Sequence, residues 1–187
     1  MEISLIRHGR SMCTENNRIK CMEFKQWIEQ YDCNGVFEEN SYPADTLERI
    51  ATANIVITSD LKRSIESAKL LNRNLTAVSD PLFRETELPI PVARGMKLNP
   101  STWSLILRCL WFLGYSRDCE SLNEAKDRAK KASKLLVWYA EKHTSIVLVG
   151  HGFFNILVSK ELQKMGWKGK SSPSSKHWNC TTYSLFN

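Results

Sequence analysis

Three short apolar runs in this chain each end in residues that can hold an anion. Residues 3–6 run into Arg7-His8-Gly9. Residues 55–57 run into Thr58-Ser59-Asp60, with Arg63 just beyond, and residues 146–149 run into Gly150-His151-Gly152. Ligands of an open α/β sheet bind beyond the carboxyl ends of its strands. If these runs are strands of one sheet, two of the four histidines, two arginines and the helix N-termini that follow converge there. Guanidinium forks and helix N-termini both suit a negatively charged ligand. Taken singly, each residue has a plainer explanation: a structural histidine, a solvated arginine. Their recurrence at three tips is what points to a site.

The elements that must position these residues are readable from periodicity. Each β-branched run is followed by a helical pattern, as in the βα units of a largely parallel sheet. Cys21, Phe24, Ile28 and Tyr31 share one face of a first helix. Pro43 can open a second, with Leu47, Ile50 and Ala51 inward. Ser59 or Asp60 can cap a third, with Leu61, Ile65, Ala68 and Leu71 inward. Ser121 and Glu124 form a capping box ahead of a long helix through Ala125, Ala129, Ala132, Leu136 and Tyr139. Gly152 opens the last main helix, with Phe153, Ile156 and Leu157 at helical spacing, and residues 181–186 read as a closing strand. The stretch 81–121 is less regular. It carries Pro89, Pro91, Gly95, Pro100 and the aromatics Trp103, Trp111, Phe112 and Tyr115, and reads as a lid or insertion with a helix through 105–113.

Length and composition frame this reading. The chain has 187 residues, 42% hydrophobic and 25% charged, which suits one domain, 1–187, with a full core. The net charge of +6 favours an anionic partner such as a phosphate ester, a nucleic acid or a membrane surface. Part of the excess lies in residues 160–176, where only Glu161 opposes the lysines. No helix-turn-helix, zinc-finger or aromatic RNA-binding signature accompanies it, so nucleic acid is not the expected partner. The most apolar stretch, 105–115, is interrupted by Arg108 and Gly114 and falls short of the ~20 residues that span a bilayer. The six cysteines, at 13, 21, 33, 109, 119 and 180, include no CxxC pair. They read as reduced thiols in a cytoplasmic protein without a secretory signal or membrane span. No His/Cys/Asp/Glu group has metal-ligand spacing, and no cofactor is expected.

Leu5-Ile6-Arg7-His8-Gly9-Arg10-Ser11 resembles the Arg-His-Gly signature of the histidine phosphatase superfamily, the phosphoglycerate mutase-like proteins. Thr58 to Arg63 with Ser67-Ala68 resembles its second motif, Phe83-Arg84-Glu85 the segment with its acidic proton donor, and Val149-Gly150-His151-Gly152 its second histidine. The four motifs stand in the family's order. The resemblance implies a three-layer α/β/α fold with a mostly parallel central sheet and a helical insertion over the site, close to the small phosphatases of bacterial type. Arg10 stands where the family often has Glu or Gln, Thr14 where it often has Asn, and Ser67 where Thr is more usual.

The chemistry this implies is phosphoryl transfer. A phosphate monoester dianion repels anionic nucleophiles, whereas neutral imidazole avoids that repulsion. His8 would attack phosphorus, with one ring nitrogen held as N–H by a backbone carbonyl such as that of Gly9. Arg7, Arg63 and His151 would hold the phosphoryl oxygens, with backbone N–H groups from the helix opening at Gly152. Glycine at 9 and 152 would let backbone approach the anion. Glu85 would be the general acid, with Glu87 as its competitor and pairing of Glu85 with Arg84 or Arg94 as its plainer role. Ser11 and Thr14 are further candidates for substrate binding, and Arg10, Arg94, Lys97 and Trp103 for specificity. His177 and His143 are assigned no role: His177 could line the pocket, but surface or core packing is its ordinary reading, and a helix-dipole partner is that of His143.

The function expected from the resemblance is a metal-independent phosphatase acting on a small phosphorylated metabolite through a phosphohistidine. A phosphoglycerate-type mutase, a phosphohistidine protein phosphatase and a non-catalytic phospho-ligand binder are the alternatives.

Overall fold

The computed structural model describes residues 1–74, 76–91 and 95–186. Strands β1 (Glu2–Arg7), β3 (Ile55–Thr58), β4 (Val78–Ser79), β6 (Ser145–Gly150) and β7 (Cys180–Ser184) form one sheet in the order β4-β3-β6-β1-β7. All neighbours are parallel except β7, which runs antiparallel to β1. The fold is α/β with a mostly parallel sheet.

Both faces of the sheet are covered, which explains why its strands are apolar nearly throughout. Ile3, Leu5, Ile57, Ile146 and Leu148 point to one face, against α5 (Leu122–His143) and α6 (Gly152–Lys164). Ala125, Ala129, Ala132 and Ala140 present small side chains to that face, and α5 lies close on it. Ile6, Val56, Val147 and Val149 point to the other face, against Ile50 of α2 (Ala44–Thr52) and Ala68 and Leu71 of α3 (Lys62–Leu71). The result is three layers. Among the described residues no helix is long and apolar enough to cross a membrane.

The Ser121–Glu124 capping box forms as expected. Several registers differ from the expectation. In α2 the inward residues are Thr46 and Ile50, whereas Leu47 and Ala51 face solvent. Thr46 is drawn in because its hydroxyl donates to the carbonyl of Trp178 at 2.7 Å. Helix α3 starts only at Lys62, and neither Ser59 nor Asp60 caps it, because both side chains bond elsewhere. In α6 the buried apolar positions are Phe154, Leu157, Val158 and Leu162, whereas the expected Phe153 and Ile156 are only partly buried. The closing strand spans Cys180–Ser184.

The 81–121 stretch contains the expected helix as α4 (Pro100–Phe112), but it does not cover the sheet end alone. A two-residue ladder pairs β2 (Ile19–Lys20) with β5 (Lys97–Leu98). A separate apolar cluster of Cys21, Phe24, Trp103 and Leu107 joins α4 to α1 (Phe24–Cys33). The Trp103 indole donates to the carbonyl of Ile19 at 2.8 Å. The cap over the carboxyl edge of the sheet is therefore built from two distant segments.

Candidate active site

Because β1, β6 and β3 are adjacent and parallel, their carboxyl ends lie side by side, with Arg7 opposite Gly150 and Thr58 opposite Val149. His8 follows β1, and its N–H donates to the carbonyl of Gly150 at 3.0 Å. His151 follows β6 as the N-cap of α6. The two imidazole rings are 5.1 Å apart.

Only one tautomer of His8 fits. Its Nδ1 lies 2.7 Å from the carbonyl of Gly9, which can only accept, so Nδ1 carries the proton and Nε2 keeps its lone pair. The ring is nearly inaccessible to water. Burial first, and then the charge of Arg63, hold its pKa well below the ordinary 6.5. His8 is thus a neutral imidazole with a free nucleophilic nitrogen at neutral pH.

His151 is also held well below 6.5, by burial and then by His8 and Arg63. Its Nε2 is 2.7 Å from the Ser59 hydroxyl, which accepts from the N–H of Leu61 at 3.3 Å and can give its own proton to the ring. When it does so, the His151 proton sits on Nδ1. Enclosed between cations, the imidazole does not hold a second proton without an anion beside it.

Arg63 is 3% exposed on the first turn of α3. Its Nη1 donates to Asp32 at 2.6 Å and its guanidinium lies 4.7 Å from the centre of the Tyr31 ring. Arg7 donates through Nη1 to the carbonyl of Ser175. Of the buried side-chain N–H groups without an acceptor among the described residues, three belong here: Arg7 Nε, Arg63 Nε and Nδ1 of His151 in the tautomer above. Buried donors are costly when unpaired, and a group of them around one nucleophile is suited to an anion.

Glu85 reaches the same place from another direction. Its two oxygens accept from the N–H groups of Phe153, at 3.0 Å, and Phe154, at 2.8 Å, and it also accepts from its own neighbour Thr86 at 2.9 Å. The carboxylate thus caps α6 and takes two of the backbone donors that a phosphate was expected to use. The alternative partner Arg84 is instead forked onto Asp60, at 2.6 and 2.5 Å, and Arg94 lies outside the described residues. Glu87 lines the same cavity, with one oxygen accepting from the N–H of Glu120 at 2.9 Å.

The glycines serve packing rather than open access. A Cβ at Gly9 would fall 2.0 Å from the indole of Trp178, and one at Gly152 would lie 3.1 Å from Arg7 Nε. Ser11 is buried and accepts from the N–H of Cys13 at 3.2 Å, while Thr14 is exposed. Among the described residues neither lines the cavity beside the site, nor do Arg10, Lys97 and Trp103.

That cavity, of about 770 Å³, runs from Arg7, Arg63 and Glu85 to the cap residues Trp27, Tyr31 and Leu88. Sequence reasoning missed several of the residues that build it. Arg108 donates to the hydroxyl and carbonyl of Thr86, at 2.7 and 3.1 Å. Arg128 donates to the carbonyls of Leu82 and Arg84, at 3.0 and 2.9 Å, and is forked onto Glu120. Together they brace the loop that carries Glu85. The available signal was an arginine interrupting the apolar run of α4. Asp32 gave no comparable signal, Ser59 reads from the sequence only as a strand-tip residue or helix cap, and His177 carries no assigned role. In the cavity wall, burial pushes the Cys119 thiol up to about 11, which keeps it protonated at neutral pH.

The model of the histidine phosphatase superfamily (branch 1) matches residues 43–185. Solved structures share the fold. A mycobacterial glucosyl-3-phosphoglycerate phosphatase, solved with VO3, is 19% identical with a TM-score of 0.58, over 87% of this chain and 80% of that one. A putative alpha-ribazole-5'-P phosphatase from Escherichia coli is 14% identical with a TM-score of 0.52, over 86% and 78%. A protein from Thermus thermophilus is 19% identical with a TM-score of 0.53, over 97% and 92%. No curated protein matches the sequence significantly.

Proposed function

Since the chain belongs to the histidine phosphatase superfamily, branch 1, we propose that it hydrolyses a small phosphate monoester through a phosphohistidine on His8. The observation that carries this reading is the His8 ring, fixed as the Nδ1–H tautomer in a site where the buried Nε–H groups of Arg7 and Arg63 lack acceptors.

In the first step the Nε2 lone pair of His8 attacks phosphorus, and the bond from phosphorus to the alcohol oxygen breaks. Arg7, Arg63 and His151 donate to the phosphoryl oxygens, and such donors act strongly where water is excluded. Glu85 delivers a proton to the departing alkoxide. Its Oε1 is occupied by Phe154 and Thr86, whereas Oε2 accepts one bond and has room for the proton. In the second step Glu85 takes a proton from water, the oxygen attacks phosphorus, the P–N bond breaks and His8 is regenerated. Its link to α6 sets Glu85 next to His151, which supports it over Glu87 as the proton donor. Every step is written with groups of the chain, and none calls on a cofactor.

The capped cavity supports a small phosphorylated metabolite over a phosphoprotein, whose side chain would need an open approach. The test is a panel of phosphate monoesters assayed with EDTA present, together with rapid quenching in base after addition of labelled substrate. Phosphate release with base-stable, acid-labile label on His8 is expected. Activity that collapses under chelation, or label on another residue, overturns the mechanism.

A further inference from the structure

Residues 174–179 lie as a strap against the tip of β1. Arg7 Nη1 donates to Ser175, the N–H of Trp178 donates to the carbonyl of Arg7 at 2.9 Å, and the N–H of Arg7 donates to the carbonyl of Asn179 at 3.3 Å. Trp178 has φ of 65°, a left-handed conformation unfavourable for so bulky a residue. It is held there by Thr46 on its carbonyl and by its indole, which lies across Gly9. A strained backbone kept by so many surrounding bonds is a feature of functional sites.

This turn brings His177 to the nucleophile. The His177 ring is 5.5 Å from that of His8, and its Nδ1 is 2.8 Å from the carbonyl of His8. A carbonyl only accepts, so His177 also carries its proton on Nδ1. The peptide group between His8 and Gly9 is then held at both ends. His177 donates to its oxygen, and its N–H donates to the Ser67 hydroxyl at 2.9 Å, which donates in turn to the carbonyl of Arg63 at 2.6 Å. The next carbonyl along, that of Gly9, is the one that accepts from His8 Nδ1. Its direction depends on how the preceding peptide is set.

We propose that His177 is a positioning residue for the nucleophile. By fixing the His8–Gly9 peptide together with Ser67, it keeps the Gly9 carbonyl opposite Nδ1 of His8 and leaves Nε2 as the reactive nitrogen. The kinetic part of this proposal rests on the phosphohistidine reading, and the tautomer itself does not.

Nitrogen-15 NMR of histidine-labelled wild-type protein near neutral pH is the first test. Both His8 and His177 are expected as Nδ1–H tautomers. An Nε2–H tautomer at His177 overturns the proposal, and this readout stands whether or not monoester turnover is found. The second test is substitution. Asparagine sets an amide N–H near the place of Nδ1, and glutamine near that of Nε2. His177→Ala should lower kcat roughly 10–100-fold with little change in KM, the scale expected when a reacting group is misplaced. His177→Asn should recover most of the loss and His177→Gln should not. An unchanged kcat in His177→Ala, or rescue by glutamine and not asparagine, overturns the proposal. If the alanine variant does not fold, the asparagine–glutamine pair and the tautomers decide.

Discussion

At the sheet end of the cavity, His8, Ser59, Arg63 and His151 are all buried, and each is bonded to a group from another part of the chain. At the cap end, α4 rests on a small cluster of its own and on a two-residue ladder and meets the main core through Trp111 at its C-terminal end, while Leu105, Phe112 and Leu113 stand exposed. The clamp is thus fixed by many mutual hydrogen bonds, as the proposed chemistry at phosphorus requires. The cap is attached mainly by apolar packing, which tolerates substitution if volume and pattern are kept. Reaction and selectivity are therefore separable here: damage to the clamp should remove turnover on every substrate, and damage to the cap should change which substrates are used.

The largest effect expected is from His8→Ala. Removing the nucleophile should lower kcat by at least ~10³-fold and abolish the phosphoenzyme while the circular dichroism spectrum stays native. Arg63→Ala should cost roughly 10²–10³-fold in rate and weaken vanadate as an inhibitor, since one fork of the anion clamp is gone. Near-normal activity in that variant would place the second arginine of the clamp elsewhere. Glu85→Gln should slow an alkyl phosphate by about 10²-fold or more and a nitrophenyl phosphate far less, because only the alkoxide needs a proton to depart. Equal slowing of both esters would reduce Glu85 to a helix cap, and the leaving-group dependence appearing in Glu87→Gln would move the acid to Glu87.

The cap should respond in the opposite manner. Trp103→Ala removes a buried indole and its bond to Ile19, a change that costs about 3–5 kcal/mol in a core. KM for a bulky ester should rise while vanadate inhibition stays near normal; matched losses of both would show that the two ends are not separable. The smallest effect is on stability. His8, His151 and His177 all have pKa values below 6.5 in the native state, chiefly through burial. Below that pH the unfolded chain takes up protons before the native state does. Their contribution is therefore complete above 6.5 and shrinks as pH falls, so Tm should drop on acidification. His8→Asn should flatten part of that slope in a thermal melt.

The contrast also accounts for what the sequence made legible. Strand tips could be read because buried parallel strands are continuous apolar runs that stop abruptly, so Arg7, His8, Arg63 and His151 stood out at their ends. The α5 capping box is local chemistry within four residues and was equally readable. Contacts made across the fold were not. Asp32 meets Arg63, and His177 meets His8, only because distant segments are folded together. The inward register of α2 depends on a hydroxyl bond from Thr46 to Trp178, and a pattern of apolar residues carries no trace of it. The second half of the cap was hidden for the same reason: residues 19–33 join α4 through Cys21 and Phe24, which look like ordinary core positions.

The strand order has a further consequence, for the way the protein is made. Strand β1 carries Arg7 at its end and leads into His8, yet its two neighbours in the sheet are β6 and β7, the last strands of the chain. On the ribosome the segment bearing the proposed nucleophile emerges more than a hundred residues ahead of β6 and stays without its partners until β6 and β7 have been made. Such long-range pairing folds slowly and leaves an apolar strand exposed meanwhile. The proposed reactive centre is assembled only once β6 and β7 reach β1, so nascent chains that stop short of β6 should need a holding chaperone and should show no phosphoryl-transfer activity.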